Sequence, residues 1–290
     1  MSKIAILTDS SCDIPQEMAE KYGIDIMSFH ILLDDVDYVE RESCTNTEFY
    51  DKMRLAKGVP STAAITPIQF CEKYCQYVDE GYTDVIHVPI NKSGSSTYNN
   101  ALMAQGMLRE ERPEHHMKIH LLDPHTYSMV FGWYLCEMAR KLKNGAEISH
   151  VIQEFEKQMN CMEIILGPYS LKQMKKSGRI SAAAAVMGEL MGVRPIITLI
   201  DGKTKEESKV RGDDKVVPAM IELCKKRANG VENFDYMIGH TNIKQAEDLE
   251  KACRKAFGKA PLVVFELGGV VSANTGPDTV ALVYTGHPRG

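Results

Sequence analysis

Short apolar runs alternate with amphipathic stretches through the first 160 residues of the chain. "KIAILTD" (3–9), "DVIHVPI" (84–90) and "MKIHLLD" (117–123) are almost continuously apolar, so each predicts a buried strand. The segments between them show helical spacing, including 67–80 and 126–143. Strands separated by helices predict a mostly parallel, Rossmann-like α/β sheet that is covered on both faces.

Local signals predict where several of these elements begin and end. Asp13 is expected to cap a first helix that Gly23 ends, and "IDIMSFHILL" (24–33) is expected to form one second strand. "TNTE" (45–48) has the spacing of a capping box, and Pro67 suits the first turn of the helix that follows Thr66.

Hairpins and helices are mixed in the second half of the chain. "RPIITLIDGKTKEESKV" (194–210) predicts a hairpin that turns at Asp201-Gly202. The pattern predicts an α+β domain with a mixed sheet. We therefore expect an N-terminal α/β domain over residues 1–160 and a C-terminal α+β domain over 161–290, because 290 residues exceed what one core comfortably serves.

Charge and composition exclude some functions and favour others. A net charge of −5 and a pI near 6.0 argue against binding to duplex nucleic acid. The chain has no apolar run of the ~18 residues that a membrane span needs, and its beginning has no secretion signal. Its eight cysteines include no CxxC pair, so we expect packing thiols in a reducing cytoplasm, with no metal site.

Familiar catalytic and nucleotide motifs are absent from the sequence. "DGKT" (201–204) is similar to the end of a phosphate-binding loop, but the glycine that this loop requires at position 197 is an isoleucine. The chain also lacks GxGxxG after its first strand, a GxSxG elbow and HExxH. We therefore expect neither a dinucleotide nor another cofactor.

Small polar residues cluster after or beside the predicted strands. The clusters are "TDSSCD" (8–13), "VPSTAAITP" (59–67) and "SGSSTY" (93–98). Ligands of open α/β sheets bind at the carboxyl ends of strands, where helix N-termini expose free N–H groups. Each Ser or Thr alone could equally be a helix cap, but Ser95 and Ser96 together exceed what one helix start requires.

The chain resembles the DegV family, bacterial fatty-acid-binding proteins that present acyl chains to a fatty acid kinase. The matching segments occur in the family's order along nearly the whole chain. They are "TDSSCD" (8–13), "PST" (60–62), "SGSSTY" (93–98), "LD" (122–123), "KKSGRIS" (175–181), "RPI" (194–196), "KVRG" (209–212) and "NTGPDTVALVY" (274–284).

The resemblance implies two domains with a fatty acid between them. It implies that the tail lies in an apolar tunnel, that Thr62 and Ser95 anchor the carboxylate, and that a kinase subunit is the partner, with only transient membrane contact. Arg211 and Arg179 match positions expected to handle the acyl phosphate or the kinase. The lipid-binding set expected from the resemblance and from the sequence is Ser61, Thr62, Ser95, Ser96, Met187, Met191, Arg211 and Asn274.

Some positions depart from the family pattern. Ser96 stands where the family usually has glycine, Ala63 and Ala64 replace a serine and a glutamine, and Asn274 replaces a histidine. These changes lie near the expected headgroup, so they affect headgroup identity and kinase coupling more than lipid binding.

One predicted helix could form the wall of the tunnel, and two functions other than lipid binding are also considered. "RISAAAAVMGELMGV" (179–193) places Met187 and Met191 on one helical face, either as a tunnel wall or as ordinary core packing. A hydrolase would use Ser95 or Ser96 as nucleophile, with His87 and Asp84 on the preceding strand as its candidate base and acid. A transcription regulator is disfavoured by the acidic charge and by the lack of a helix-turn-helix signature.

Overall fold

A computed structural model describes residues 3–170, 173–174, 192–228, 230 and 234–289. The strands in this part are β1 Ile4–Asp9, β2 Ile24–Met27, β3 His30–Leu33, β4 Val36–Val39, β5 Ser61–Ala63, β6 Asp84–Val88, β7 Lys118–Leu121, β8 Met162–Pro168, β9 Val193–Ile200, β10 Lys203–Arg211, β11 Tyr236–His240, β12 Val264–Glu266 and β13 Thr279–Thr285. The helices are α1 Gln16–Tyr22, α2 Asn46–Leu55, α3 Pro67–Asp79, α4 Thr97–Glu111, α5 Met129–Lys143, α6 Ile148–Met159, α7 Val216–Arg227, α8 Ile243–Phe257 and α9 Gly269–Thr275.

The N-terminal half is built on a parallel four-stranded sheet in the order β2-β1-β6-β7. The predicted α/β fold is therefore confirmed. Capping boxes at Thr45 and Thr66 begin α2 and α3, and Gly23, at φ 66°, ends α1. Local capping and glycine signals thus correctly predicted these boundaries, because they act within one helical turn.

The expected second strand over 24–33 is wrong as one strand. β2 joins the parallel sheet, whereas β3 pairs antiparallel with β4 and β5 in a separate three-stranded sheet. Between them, the backbone N–H of Phe29 donates to Ser10 Oγ at 3.0 Å instead of to a neighbouring strand. This bond lies where the chain leaves the first sheet, and the pairing of β3 with β5 then places Thr62 opposite Ile31.

A six-stranded mixed sheet in the order β10-β9-β8-β13-β11-β12 forms the C-terminal half. The predicted hairpin is confirmed: β9 and β10 pair antiparallel, and Asp201 and Gly202 turn at φ 52° and 70°. Two positive φ values in a two-residue loop match the right-handed twist of the strands it joins.

Apolar side chains pack continuously across residue 160. Phe131, Phe155 and Met159 from α5 and α6 belong to the same buried cluster as Met162 and Ile164 of β8. The two sheets lie on either side of this sequence position, while the core between them is shared. The division into domains at residue 160 stays a prediction.

Asp13 and helix α9 differ from expectation. Asp13 does not cap α1, which begins after Pro15; it sits at φ 52° and closes a short 3-10 turn over Ser10–Cys12. The segment before β13 forms the helix α9, which the sequence patterns did not predict because its seven residues are too few to show helical periodicity.

Candidate functional site

A cavity of about 210 Å³ lies between the two halves of the molecule. Its apolar wall is one face of the C-terminal sheet, where side chains alternate along β8, β9 and β13. The sheet residues on this wall are Ile164, Leu166, Leu199, Ala281 and Val283. Phe265 and Leu267 extend the apolar surface.

Hydroxyl and amide groups line the other part of the cavity. Thr62 comes from β5, Ser95 and Ser96 from the loop before α4, and Asn274 and Thr275 from the last turn of α9. Three separate segments therefore converge on one polar region. This polar region lies at the carboxyl end of the parallel sheet, where the loop after β6 leads into α4.

The hydroxyl groups in this region differ in their hydrogen bonds. Ser95 Oγ lies 2.8 Å from Thr97 Oγ1 and accepts from the Thr97 backbone N–H at 3.2 Å, so Ser95 is tied to the first residue of α4. The hydroxyls of Thr62 and Ser96 make no hydrogen bond within the described part of the chain. Thr275 Oγ1 is buried and has no partner among the described residues.

Asn274 has a defined amide orientation. Its Nδ2 donates to the carbonyl oxygen of Val270 at 2.9 Å, one turn earlier in α9. The opposite branch of the amide is therefore the oxygen, which is an acceptor. Asn274 thus brings an acceptor to a region otherwise lined by hydroxyls.

Three carboxyl groups lie directly behind the cavity lining. Asp9 Oδ2 accepts from the backbone N–H of Ile90 at 2.6 Å, and burial raises its pKa to about 7. Asp13 accepts from the hydroxyl of Ser128, and burial and the neighbouring Glu40 raise its pKa well above the usual value.

Glu40, the third of these carboxyls, joins the N-terminal half to α9. Its Oε1 accepts from the backbone N–H of Val270 at 2.7 Å, and its Oε2 accepts from the hydroxyl of Ser10. Burial raises its pKa as well. The "TDSSCD" segment therefore holds backbone and side chains in place behind the site and does not itself line the main cavity.

The β9–β10 turn closes one edge of the cavity. His125 Nδ1 lies 2.7 Å from Asp201 Oδ1, and the hydroxyl of Tyr127 donates to the carbonyl oxygen of Gly202 at 3.3 Å. Gly94 packs so tightly on Tyr127 that an added Cβ would lie 2.2 Å from the Tyr127 hydroxyl oxygen. Glycine at position 94 therefore permits the close approach of the two loops.

The other predicted site residues lie elsewhere or outside the described residues. Ser61 is exposed on β5 and does not line the cavity. Arg211 is exposed at the far end of β10, roughly 20 Å along the strand from Thr204 at the cavity. The structure therefore does not bring Arg211 to the lipid-binding group in which the sequence placed it. Arg179, Met187 and Met191 lie outside the described residues.

The geometry does not assemble the serine hydrolase that was considered from sequence. His87 Nδ1 lies 2.7 Å from the hydroxyl of Tyr74, and burial lowers its pKa to about 3. Asp84, the nearby candidate acid, instead pairs with His120 at 3.0 Å. Ser95 is hydrogen bonded to Thr97, so none of these groups activates it as a nucleophile.

Comparison with known families identifies the chain. A family model described as "Uncharacterised protein, DegV family" matches residues 3–286. The chain belongs to the DegV family. A DegV domain-containing protein of Clostridium perfringens is 28% identical, with 98% of this chain and 99% of the relative covered. A Staphylococcus aureus DegV domain-containing protein is also 28% identical, with 98% of each covered.

Solved DegV structures share the fold over almost the whole chain. One from Streptococcus agalactiae, described as fatty acid binding, has a TM-score of 0.85 at 26% identity and covers 99% of this chain and 100% of its own. One from Thermotoga maritima, described as a lipid-binding protein, has a TM-score of 0.83 at 25% identity, with 99% and 100% covered. Among the described residues, no helix combines the length and apolar character that crossing a bilayer requires.

Sequence reasoning missed several residues that form or support this site. Thr275 and Ser128 line the cavity, and Glu40 holds the helix that carries Asn274. Glu40 had no usable signal, because its partner Val270 is 230 residues away along the chain. Thr275 lies within the recognised "NTGP" segment, so the segment drew attention to it without indicating its position at the cavity.

Proposed function

We propose that this DegV protein binds a long-chain fatty acid, with the carboxyl group at Thr62, Ser95, Ser96 and Asn274 and the tail along the apolar wall. The observation that carries the proposal is one cavity that joins a polar region to an apolar sheet face. Relatives described as fatty acid binding share the fold at 25–26% identity, which supports the same ligand class here.

The tail would supply most of the affinity. At ~0.8 kcal/mol per buried methylene, a sixteen-carbon chain contributes about 10 kcal/mol before association costs of ~4–15 kcal/mol. The headgroup must keep hydrogen bonds on entering the cavity, or its desolvation would cancel that gain. The hydroxyls of Thr62 and Ser96, which make no hydrogen bond to another described residue, and the amide of Asn274 can provide them.

Native mass spectrometry of freshly purified protein tests the proposal. We expect a co-purified saturated or monounsaturated fatty acid of roughly fourteen to eighteen carbons, near one per chain, because tail burial favours long chains. A clean apo mass, together with no uptake of added palmitate or oleate, would reject lipid binding.

Removing hydroxyls from the polar region should weaken binding. Thr62→Val keeps the side-chain shape and removes a donor, and Ser95→Ala removes the hydroxyl that precedes α4. We expect each to lower palmitate affinity about tenfold, or ~1.4 kcal/mol. Isothermal titration with palmitate measures the change.

Ser61→Ala, on the exposed face of the same strand as Thr62, is the matched control and should leave the affinity unchanged. Full affinity in both Thr62→Val and Ser95→Ala would place the anchor elsewhere.

We also propose that the protein acts as a carrier that presents its fatty acid to a kinase subunit. The basis is the resemblance at Arg211 and Arg179, together with the suitability of a guanidinium for phosphate. Arg211 is exposed and lies away from the cavity, a position that a partner protein could contact. The carrier itself needs no catalytic residue in this scheme.

Replacing Arg211 should separate lipid binding from handover to the kinase. We expect Arg211→Ala to keep palmitate affinity within about threefold, because the residue is far from the cavity, and to lower kinase turnover at least roughly tenfold. The measurement is acyl-phosphate formation by a cognate kinase with saturating loaded carrier.

The matched control is Lys205→Ala, which removes another exposed cation from the same strand. Turnover that is equal in Arg211→Ala and the parent would exclude a handover role for Arg211.

A further inference from the structure

The cavity has an unusual charge environment for a carboxylate ligand. Among the described residues, none that lines it carries a charge: they are aliphatic or aromatic residues, glycines, hydroxyl residues and Asn274. A carboxylate that leaves water for such a surface loses hydration without gaining an opposite charge. Among the described residues, only neutral donors line the cavity and can compensate for this loss.

Carboxyl groups behind the lining take up hydrogen-bond donors of the residues that line the cavity. Ile90, Ser128 and Val270 all line the cavity, and each uses a hydrogen-bond donor on a carboxyl group: Asp9, Asp13 and Glu40 respectively. These three donors are therefore directed toward protein carboxyls and not to a ligand.

The charged groups at the rim compensate one another. Lys92 Nζ lies 3.3 Å from Asp123 Oδ2, and His125 lies 2.7 Å from Asp201. The hydroxyl of Tyr127, on the lining itself, donates to the carbonyl oxygen of Gly202. Arg41, a cation near Asp13 and Glu40, does not line the cavity, and its guanidinium donates to the Ile14 carbonyl oxygen and to Gln16 Oε1.

Asn274 adds an acceptor where the family usually has histidine. One N–H of Nδ2 donates to the carbonyl of Val270, which leaves Oδ1 to accept a hydrogen bond and the second N–H to donate one. A protonated carboxylic acid, an alcohol or a primary amide offers a donor to Oδ1, and a carboxylate does not. An imidazole at this position could carry a positive charge, which the amide cannot.

We infer that the cavity binds the headgroup in its uncharged form, with the acid O–H donating to Asn274 Oδ1, and that it therefore also accepts long-chain primary alcohols and amides. The inference rests on the proposed binding of acyl lipids and specifies the headgroup class. Thr62 and Ser96 hydroxyls supply donors to the remaining oxygen of the headgroup.

Carbon-13 NMR of bound [1-¹³C]palmitate tests the charge state directly. At pH 7 free carboxyls are ionised, but we expect the bound carboxyl carbon to have the chemical shift of a protonated carboxylic acid. A carboxylate resonance at pH 7 would overturn the inference while leaving fatty acid binding intact. The lack of any bound resonance would overturn the proposed function as well.

Competition between ligands and one variant provide an independent readout. Hexadecan-1-ol, delivered from cyclodextrin, should compete with palmitate at pH 7.5, and its affinity should lie within about tenfold of the palmitate affinity.

Asn274→His should raise the ratio of palmitate to hexadecanol affinity at least tenfold at pH 6, because the ring can then be cationic. Asn99→His, on the exposed face of α4, is the matched control. An unchanged ratio in Asn274→His, or failure of hexadecanol to compete, would contradict the assignment.

Discussion

Ala281→Phe fills part of the cavity beside the apolar wall, and we expect it to lower palmitate affinity at least a hundredfold without destabilising the fold. Ala281 is buried on β13 and faces the cavity between Leu166 and Val283. A phenyl ring there would occupy the space of about four methylene groups, worth ~3 kcal/mol at ~0.8 kcal/mol each. Isothermal titration with palmitate gives the affinity, and urea unfolding gives the stability.

Two controls separate cavity filling from general damage. Ala63→Phe adds the same ring to an exposed position on β5 and should leave palmitate binding unchanged. Octanoate, whose tail is shorter, should lose less affinity than palmitate in Ala281→Phe. A folded Ala281→Phe variant that binds palmitate as tightly as the parent would show that the tail does not lie on this wall.

Much of the fold could be predicted from sequence, because its determinants are local. The capping boxes at Thr45 and Thr66 and the Asp201-Gly202 turn each act within four residues, and all three lie where they were expected. The split of residues 24–33 between two sheets could not be predicted, because it depends on Phe29 meeting Ser10 across the fold. Periodicity indicates a strand but not its sheet.

The candidate site could be predicted only in its polar part. Thr62, Ser95 and Asn274, taken from segments that resemble the family, are brought to one cavity by the structure. Arg211 shared the same family resemblance but lies at the other end of its strand. The pairing register of a strand decides which of its ends lies at a ligand site, and the sequence did not specify that register. The buried carboxyls were missed because many of their partners, backbone N–H groups and serine hydroxyls, lie far away along the chain.

These buried carboxyls should make stability depend on pH. The pKa of Asp9 is raised to about 7, and those of Asp13 and Glu40 are raised as well, mainly by burial. The folded protein therefore retains protons that the unfolded chain has lost, and the free energy of unfolding falls as pH rises through the folded pKa. His87 acts in the opposite direction, but only below its ordinary pKa near 6.5. The window from pH 6.5 to 8 thus isolates the carboxyls.

We expect the free energy of unfolding, measured by urea titration, to fall by about 2 kcal/mol from pH 6.5 to 8, since one proton contributes ~1.4 kcal/mol per pH unit. Asp13→Asn should flatten this slope and stabilise the protein at pH 8, because the amide can accept from Gly268 and donate to Ser128 without charge. Asparagine also tolerates the positive φ at this position.

Asp35→Asn removes an exposed carboxylate at a similar φ of 64° and should leave the slope unchanged. The comparison matters for function because Glu40 and Asp13 join the N-terminal half to α9, which carries Asn274 into the cavity. If the carboxyls are protonated in the folded state, they act as hydrogen-bonding groups at this contact and repel one another less. An unfolding free energy that is constant or rises from pH 6.5 to 8 would show that these carboxyls are ionised in the folded protein, and that α9 is held by charge and not by shared protons.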